Sequence, residues 1–214
     1  MRKKTAKKNT TPIDDQPPRR KAILAAAYDV LMEQGYAGAS TLEIARRAKV
    51  PKRELYAEFG SKSGILEALI AATAARMQLP LAPAELTDRA SLAAALTRYG
   101  VTALTELTHP AVIAINRLAV AEAGTSPELG RILDGQGREP NRKVLGLLFG
   151  RARAAGFVGD SDPDQMAGAF FSLLFGDLML RLMLGVIAPP RPPEIRRRAE
   201  RATQAVLTLF RSSL

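Results

Sequence analysis

The chain has no cysteine, no tryptophan and a single histidine in 214 residues. Without cysteine there are no disulfides, no thiolate nucleophile and no thiolate-ligated metal. One histidine supplies neither an imidazole metal cage nor a Ser-His-Asp arrangement. Aromatic residues make up only 5% of the chain, and apolar residues nowhere alternate with polar ones as in a half-buried strand. No glycine-rich phosphate loop, H-E-x-x-H or nucleophile elbow occurs. Gly135-Gln136-Gly137 follows a helical stretch, not a strand, so it is no nucleotide fingerprint. These gaps argue against an enzyme, and no cofactor or metal is expected. A clean hydrophobic span is also missing. The most apolar stretch, 167–188, carries Asp177 and Arg181 at i,i+4, where they can pair on one helix face. Two charges at mid-span favour a buried helix over a membrane helix. The basic N-terminus lacks the apolar core of a signal peptide, so a cytoplasmic protein is expected.

What is present is alanine, leucine and positive charge. The composition favours helices, and the expected fold class is all-α. The formal charge is +10, and it is unevenly spread. Residues 1–76 hold 15 Lys/Arg against 8 Asp/Glu, whereas 77–214 hold 16 against 13. The excess in the first third suits an anionic polymer or surface. A solubility role for the charge is the bland alternative.

Residues 1–18 are rich in Lys, Thr, Asn and Pro, and are expected to form a disordered basic tail, either solvated or lying along DNA. A first helix spans 19–34, with Ile23, Ala27, Val30 and Leu31 on one face and Gly35 as its stop. A second opens at Ser40, whose S-x-x-E spacing to Glu43 reads as a capping box. Leu42, Ile44, Ala45 and Ala48 are its expected buried side. A third spans 51–59, with Pro51 at its first position. Ser61 caps a fourth, over 62–79. Longer helices follow over 88–107, 110–124, 140–155, 163–185 and 194–212. A short piece over 126–134 is interrupted by Gly135 and Gly137, and His109 is expected as a capping neighbour at Pro110. The total is about nine helices. Two short helices joined by a tight turn, behind a supporting helix, describe a helix-turn-helix, a pattern that also arises by chance in helical proteins.

The run from Thr41 to Lys62, TLEIARRAKVPKRELYAEFGSK, closely resembles the TetR-family DNA-binding signature. Thr-x-x-Ile-Ala, Ala-x-Val-x-Lys, Leu55-Tyr56, Phe59 and Gly60-Ser61-Lys62 carry the match, together with Gly35-Tyr36 and Ser40-Thr41 upstream. A weaker resemblance over about 115–185 is to the C-terminal domain of AefR-like TetR regulators. It rests on Arg117–Ala123, Pro127–Gly130, Ala155-Gly156, Asp162-Pro163 and Leu182–Gly185. The resemblance implies a helix-turn-helix domain over 19–66 and an effector-binding and dimerisation domain over 67–214. Four positions depart from it. Lys49 stands where the family usually has Gly in the turn, and a non-glycine there can sit at positive φ. Pro51 replaces a capping Ser or Thr. Glu54 and Glu58 stand where Thr and an aromatic or His are common, so each either reads a base or faces away.

On this reading the DNA contacts fall to seven residues. Ser40, Thr41 and Lys62 sit at helix N-termini suited to phosphate, and Tyr56 reaches the backbone by family resemblance. Lys52, Arg53 and Tyr56 lie opposite the buried Leu55 and Phe59, and Lys52 and Arg53 suit guanine. Glu54, if it faces the groove, accepts from cytosine. Arg46 and Arg47 are solvated or near phosphate. In the last helix Ile195, Ala199, Ala202, Val206 and Leu209 repeat at 4-3-4-3, a seam of period 3.5. The stretch before it, with Phe175, Leu178 and Leu182, is apolar nearly all round. The resemblance implies that these two helices pair with a second copy in a homodimer. It also implies a pocket, with Tyr99, Leu104, Ile115, Phe149, Phe170, Phe171 and Met179 as candidate lining for a hydrophobic small molecule. The expected function is sequence-specific repression of a near-palindromic operator on double-stranded DNA. The alternatives are a non-specific architectural DNA-binding protein and a membrane-surface protein using the basic tail.

Overall fold

A computed structural model describes residues 17–81, 85–125 and 127–211 of the chain. Residues 1–16 of the expected tail, and Ser126, lie outside them. Among the described residues there are eleven α-helices, one π-helical turn and no strand.

Four helices build the N-terminal unit: α1 (Pro18–Gly38), α2 (Thr41–Ala48), α3 (Lys52–Phe59) and α4 (Lys62–Gln78). The stop expected at Gly35 is a break inside α1, where Gly35 takes φ 68° before one further turn. Ser40 caps α2, accepting from the Glu43 backbone N–H at 3.1 Å. The other half of the expected capping box is not made, because the Glu43 carboxylate turns to Arg46 and Arg47 instead. Leu42 is a second correction. It is 65% exposed rather than buried, since helical rotation puts it on the side of α2 away from Ile44. Lys49 ends α2 in the left-handed region, φ 55° and ψ 40°, and is the one described non-glycine at positive φ. Pro51 stands one residue before α3 as its N-cap, not at the first helical position. Ser61 caps α4 by accepting from the Gly64 N–H at 3.0 Å. A side chain at 64 is sterically barred: a Cβ there would lie 2.0 Å from the Phe59 carbonyl oxygen. Bare Gly64 is what lets α4 start hard against the end of α3.

The body comprises α5 (Arg89–Leu107), α6 (Pro110–Glu122), α7 (Glu128–Ile132), the π turn (Leu133–Arg138), α8 (Glu139–Ala154), α9 (Pro163–Phe175), α10 (Leu178–Met183) and α11 (Pro192–Leu209). Asp88 caps α5 in a reciprocal box with Ser91, and His109 Nδ1 accepts from the Ala111 N–H at the start of α6. Gly135 and Gly137 do not interrupt the chain, which passes from α7 through the π turn straight into α8. The single helix expected over 163–185 is two. Gly176 takes φ 46° and ψ −125° between α9 and α10. The carbonyls freed there are satisfied from α11: Arg198 donates to Leu174 O and Phe175 O, both at 2.6 Å. Arg117 of α6 does the same at the end of α10, donating to Leu182 O and Met183 O at 2.7 Å. No helix among the described residues is long and apolar enough to cross a membrane.

Two cores result. One gathers Ile23, Ala27, Val30, Ile44, Leu55 and Ile65 of the N-terminal unit and reaches Ala119 of α6 and Leu129 of α7. The other fills the body around Leu96, Tyr99, Leu145, Phe149, Phe170 and Leu174. α4 lies between them, with Ile65 and Leu66 in the first and Met77 in the second. A buried polar thread runs through the second core. The Tyr99 hydroxyl donates to Asn141 Oδ1 at 3.2 Å, and Asn141 Nδ2 donates to the Gly137 carbonyl in the π turn at 2.9 Å.

The period-3.5 row of α11 is covered by its own chain. Ile195, Ala199, Ala202 and Val206 are buried in the second core, because α11 runs along α5 and α9. Leu178 and Leu182 are buried there too, Phe175 is packed at its edge, and Leu209 alone of the row is 65% exposed. The periodicity identifies a buried face, and the neighbour that buries it is α5.

Candidate nucleic-acid interface

The turn between α2 and α3 projects α3 as a ridge. Leu55 and Phe59 bury one side, so Lys52, Arg53 and Tyr56 are left exposed. At the near end the Tyr56 hydroxyl and Thr41 Oγ1 share a hydrogen bond at 3.1 Å, and Lys52 Nζ lies 5.6 Å from the centre of the Tyr56 ring. Tyr56 is 40% exposed, which sets aside a purely buried packing role. At the far end Lys62, in the first turn of α4, sits with Nζ 4.4 Å from the Tyr36 ring centre. Partial burial pushes the Lys62 ammonium below its usual pKa; a facing phosphate would push it back up. Thr41, Lys52 and Tyr56 are thus brought together, with Ser40 capping α2 beside Thr41 and Lys62 held against Tyr36 at the start of α4. A helix N-terminus offers free N–H groups and the positive end of the dipole, both suited to an anion.

The arginines of α2 are both paired with carboxylates. Glu43 accepts from Arg46 at 2.8 Å and from Arg47 Nε at 2.7 Å. These bonds hold the Glu43 carboxyl down to a pKa of about 2, Arg46 contributing most. Arg47 also grips Glu33 of α1 at 2.7 and 2.6 Å, fastening α2 to α1.

Glu54 and Glu58 turn to α1. Arg19 Nη1 lies 3.2 Å from Glu54 Oε2, and Arg20 Nη1 donates to Glu58 Oε1 at 2.6 Å. The Arg20 guanidinium also stacks over the Phe59 ring at 4.7 Å. These two arginines are charged groups that sequence reasoning passed over. The one available signal was the pair of carboxylates on an otherwise cationic helix, which needs a counter-charge from somewhere.

The candidate effector residues divide. Tyr99, Leu104, Phe149 and Phe170 are wholly buried in the second core, with Phe171 and Met179 packed against it. Phe170 and Phe171 each approach the Tyr99 ring with centroids 6.2 Å apart. Ile115 packs against the first core and is not with the others. On the outer side of α9, α10 and α11 runs a groove of about 520 Å³ lined by Leu173, Leu178, Pro190, Arg197, Arg201 and Ala205 among others.

An exposed helix presenting Lys52 and Arg53, framed by two capped helix N-termini and carried on a larger helical body, defines a helix-turn-helix DNA-binding protein. Residues 23–69 match the N-terminal domain of bacterial regulatory proteins of the tetR family. Residues 94–212 match the C-terminal domain of AefR-like transcriptional repressors. The chain is 28% identical over 179 residues to the HTH-type transcriptional regulator YvkB of Bacillus subtilis (strain 168), covering 81% of this chain and 89% of that one. Among solved structures it resembles a TetR transcriptional regulator from Agrobacterium tumefaciens, at TM-score 0.75 and 28% identity over 92% of this chain and 97% of that one. It also resembles the flavonoid-responsive regulator FrrA, at TM-score 0.66 and 29% identity over 92% and 98%. The chain belongs to the TetR family, and is a DNA-binding transcriptional regulator rather than an enzyme.

Proposed function

We propose that this regulator is a repressor that holds a near-palindromic operator as a homodimer and releases it when an apolar small molecule enters the body. The observation that carries this reading is the outer face of α3, where Lys52 and Arg53 stand exposed between the capped ends of α2 and α4. Arg53 is the base reader, with guanine O6 and N7 its partners, and Lys52 assists it. Ser40, Thr41, Tyr56 and Lys62 take phosphates and set the register. Glu54, occupied by Arg19, drops out of the reading set. The division between DNA-binding and effector domains falls at 66/67, inside α4.

The dimer face follows from what remains uncovered. With the inner row of α11 spent on α5, the groove side of α9, α10 and α11 is left for a second copy. Leu173, Leu180, Leu184 and Leu209 are exposed there or close by in the chain. A two-fold axis through that face would set two α3 helices roughly 34–36 Å apart, one turn of DNA. The effector would enter among Tyr99, Leu104, Phe149, Phe170, Phe171 and Met179. Their apolar, ring-rich surroundings fit an aromatic effector, as does the flavonoid response of FrrA. It would displace DNA by binding better to the conformation whose reading helices are wrongly spaced. A cytoplasmic site of action goes with this role.

Selection of bound sequences from a random duplex pool at physiological salt tests the reading. The expected result is a near-palindromic motif with half-sites one helical turn apart. Recovery of no motif, with binding that moderate salt abolishes, would replace it with the non-specific architectural reading.

A further inference from the structure

We propose that Arg19 and Arg20 form a second contact site for DNA phosphate, held in position by Glu54 and Glu58. The case begins with the charge of the reading helix. Lys52 and Arg53 are cancelled by Glu54 and Glu58, so α3 alone is formally neutral. A neutral helix facing a polyanion gains nothing from steering, and its two carboxylates repel the backbone. The 100° turn per residue sets Glu54 and Glu58 on one flank of α3, with Lys52 and Tyr56 on the other and Arg53 between. It is against that acidic flank that the first turn of α1 lies. Arg19 reaches Glu54 at 3.2 Å and Arg20 reaches Glu58 at 2.6 Å, so α3 together with these two arginines carries a net +2.

Neutralisation alone would account for the pairs; three features go further. A guanidinium has five N–H donors in a planar fork, and the carboxylates engage few of them. The Arg19 side chain stays 61% exposed and that of Arg20 29%. Arg20 is clamped between Glu58 and the Phe59 ring, which fixes the plane in which its remaining donors point. Finally, α1 opens Arg19-Arg20-Lys21 with no acidic residue in its first turn. Three cations oppose the dipole at that end, so the stability of α1 does not explain them. The site continues the surface of α3, and its charge suits the backbone of the same duplex.

The test is the salt dependence of binding by the full chain, measured on the selected operator and on a random-sequence duplex. Arg19→Ala, which removes two arginines from a bound dimer, is expected to lower the slope of log affinity against log salt by about 1.8, with base preference unchanged. The deciding variant replaces both pairs: Arg19→Ala and Arg20→Ala together with Glu54→Gln and Glu58→Gln. Its net charge equals that of the parent. If the arginines only cancel the carboxylates, the fourfold variant binds with the parental slope, and the proposal fails. If they hold phosphate, the slope for the dimer falls by about 3.6 although no net charge was removed. Arg19→Ala removes one exposed pair only, so it serves if the fourfold variant does not fold, and an unchanged slope there also overturns the proposal. The random duplex keeps the two readings apart: absence of a selected motif sinks the operator reading, while the slopes still decide this one.

Discussion

The two halves of the molecule rely on charge to different degrees. In the N-terminal unit charged side chains are paired across helices: Arg47 with Glu33, Arg19 with Glu54, Arg20 with Glu58. In the body Arg117 and Arg198 cap carbonyls at α10 and α9, one cross-helix pair, Arg76 with Glu106 at 2.8 Å, ties α4 to α5, and most of the remaining contact is apolar packing. A small unit with few buried residues keeps its surface for DNA, and uses ion pairs to aim helices whose other faces must stay free. A large unit buries enough apolar area to depend less on such aiming. Surface pairs add little stability, ~0–1 kcal/mol each, so their effect should show in DNA binding, and that of the body's residues in unfolding.

The largest effect should be Phe149→Ala. Phe149 is wholly buried in the second core, and truncation there should cost about 3–5 kcal/mol, read as a lowered melting temperature. The surviving folded protein should keep its base preference. Next comes Asn141→Leu, which strips the Tyr99 hydroxyl and the Gly137 carbonyl of their shared partner. The expected loss is about 1–3 kcal/mol of stability; loss of DNA affinity beyond that matched by unfolding would blur the division between halves. Arg53→Ala should do the reverse, costing about 1–3 kcal/mol of operator affinity with the melt unmoved. Lys49→Gly relieves a left-handed lysine, but glycine gives the unfolded chain more freedom. The two effects nearly offset, and a shift within about 1 kcal/mol is expected by thermal melt.

Acid should separate the halves by a smaller margin. The Glu43 carboxyl is held down to about 2 from its usual 4.5. A depressed folded pKa means stability that is present above about 4.5 and lost as pH falls toward about 2. Glu43→Gln removes that dependence. The melting temperatures of parent and variant should therefore converge between about pH 6 and about pH 3, and a gap constant with pH would show that the pairs with Arg46 and Arg47 contribute nothing.

What was legible in the sequence follows the range of each interaction. Ser40 and Ser61 were readable as caps because a cap engages a backbone N–H three residues on. Positive φ at Lys49 was readable only through the resemblance, which has Gly at that place in the α2–α3 turn. Arg19 with Glu54 was not, since nothing local links residues so far apart in the chain. The α11 row shows a subtler limit. Its period says correctly that Ile195, Ala199, Ala202 and Val206 are buried, but a period of 3.5 is blind to whether α5 or another subunit covers them. Phe175-Gly176-Asp177 looked continuous because the flanking stretches are apolar on every side, and the break depends on Arg198, which comes from the next helix.

The most direct test of the central claim, that the outer face of α3 reads base sequence through Arg53, is to run the random-duplex selection twice, with the parent and with Arg53→Ala. The account predicts a near-palindrome from the parent and, from the variant, the same motif with its preference lost at one base pair in each half-site. An identical motif from both would contradict it and move the reading to other residues.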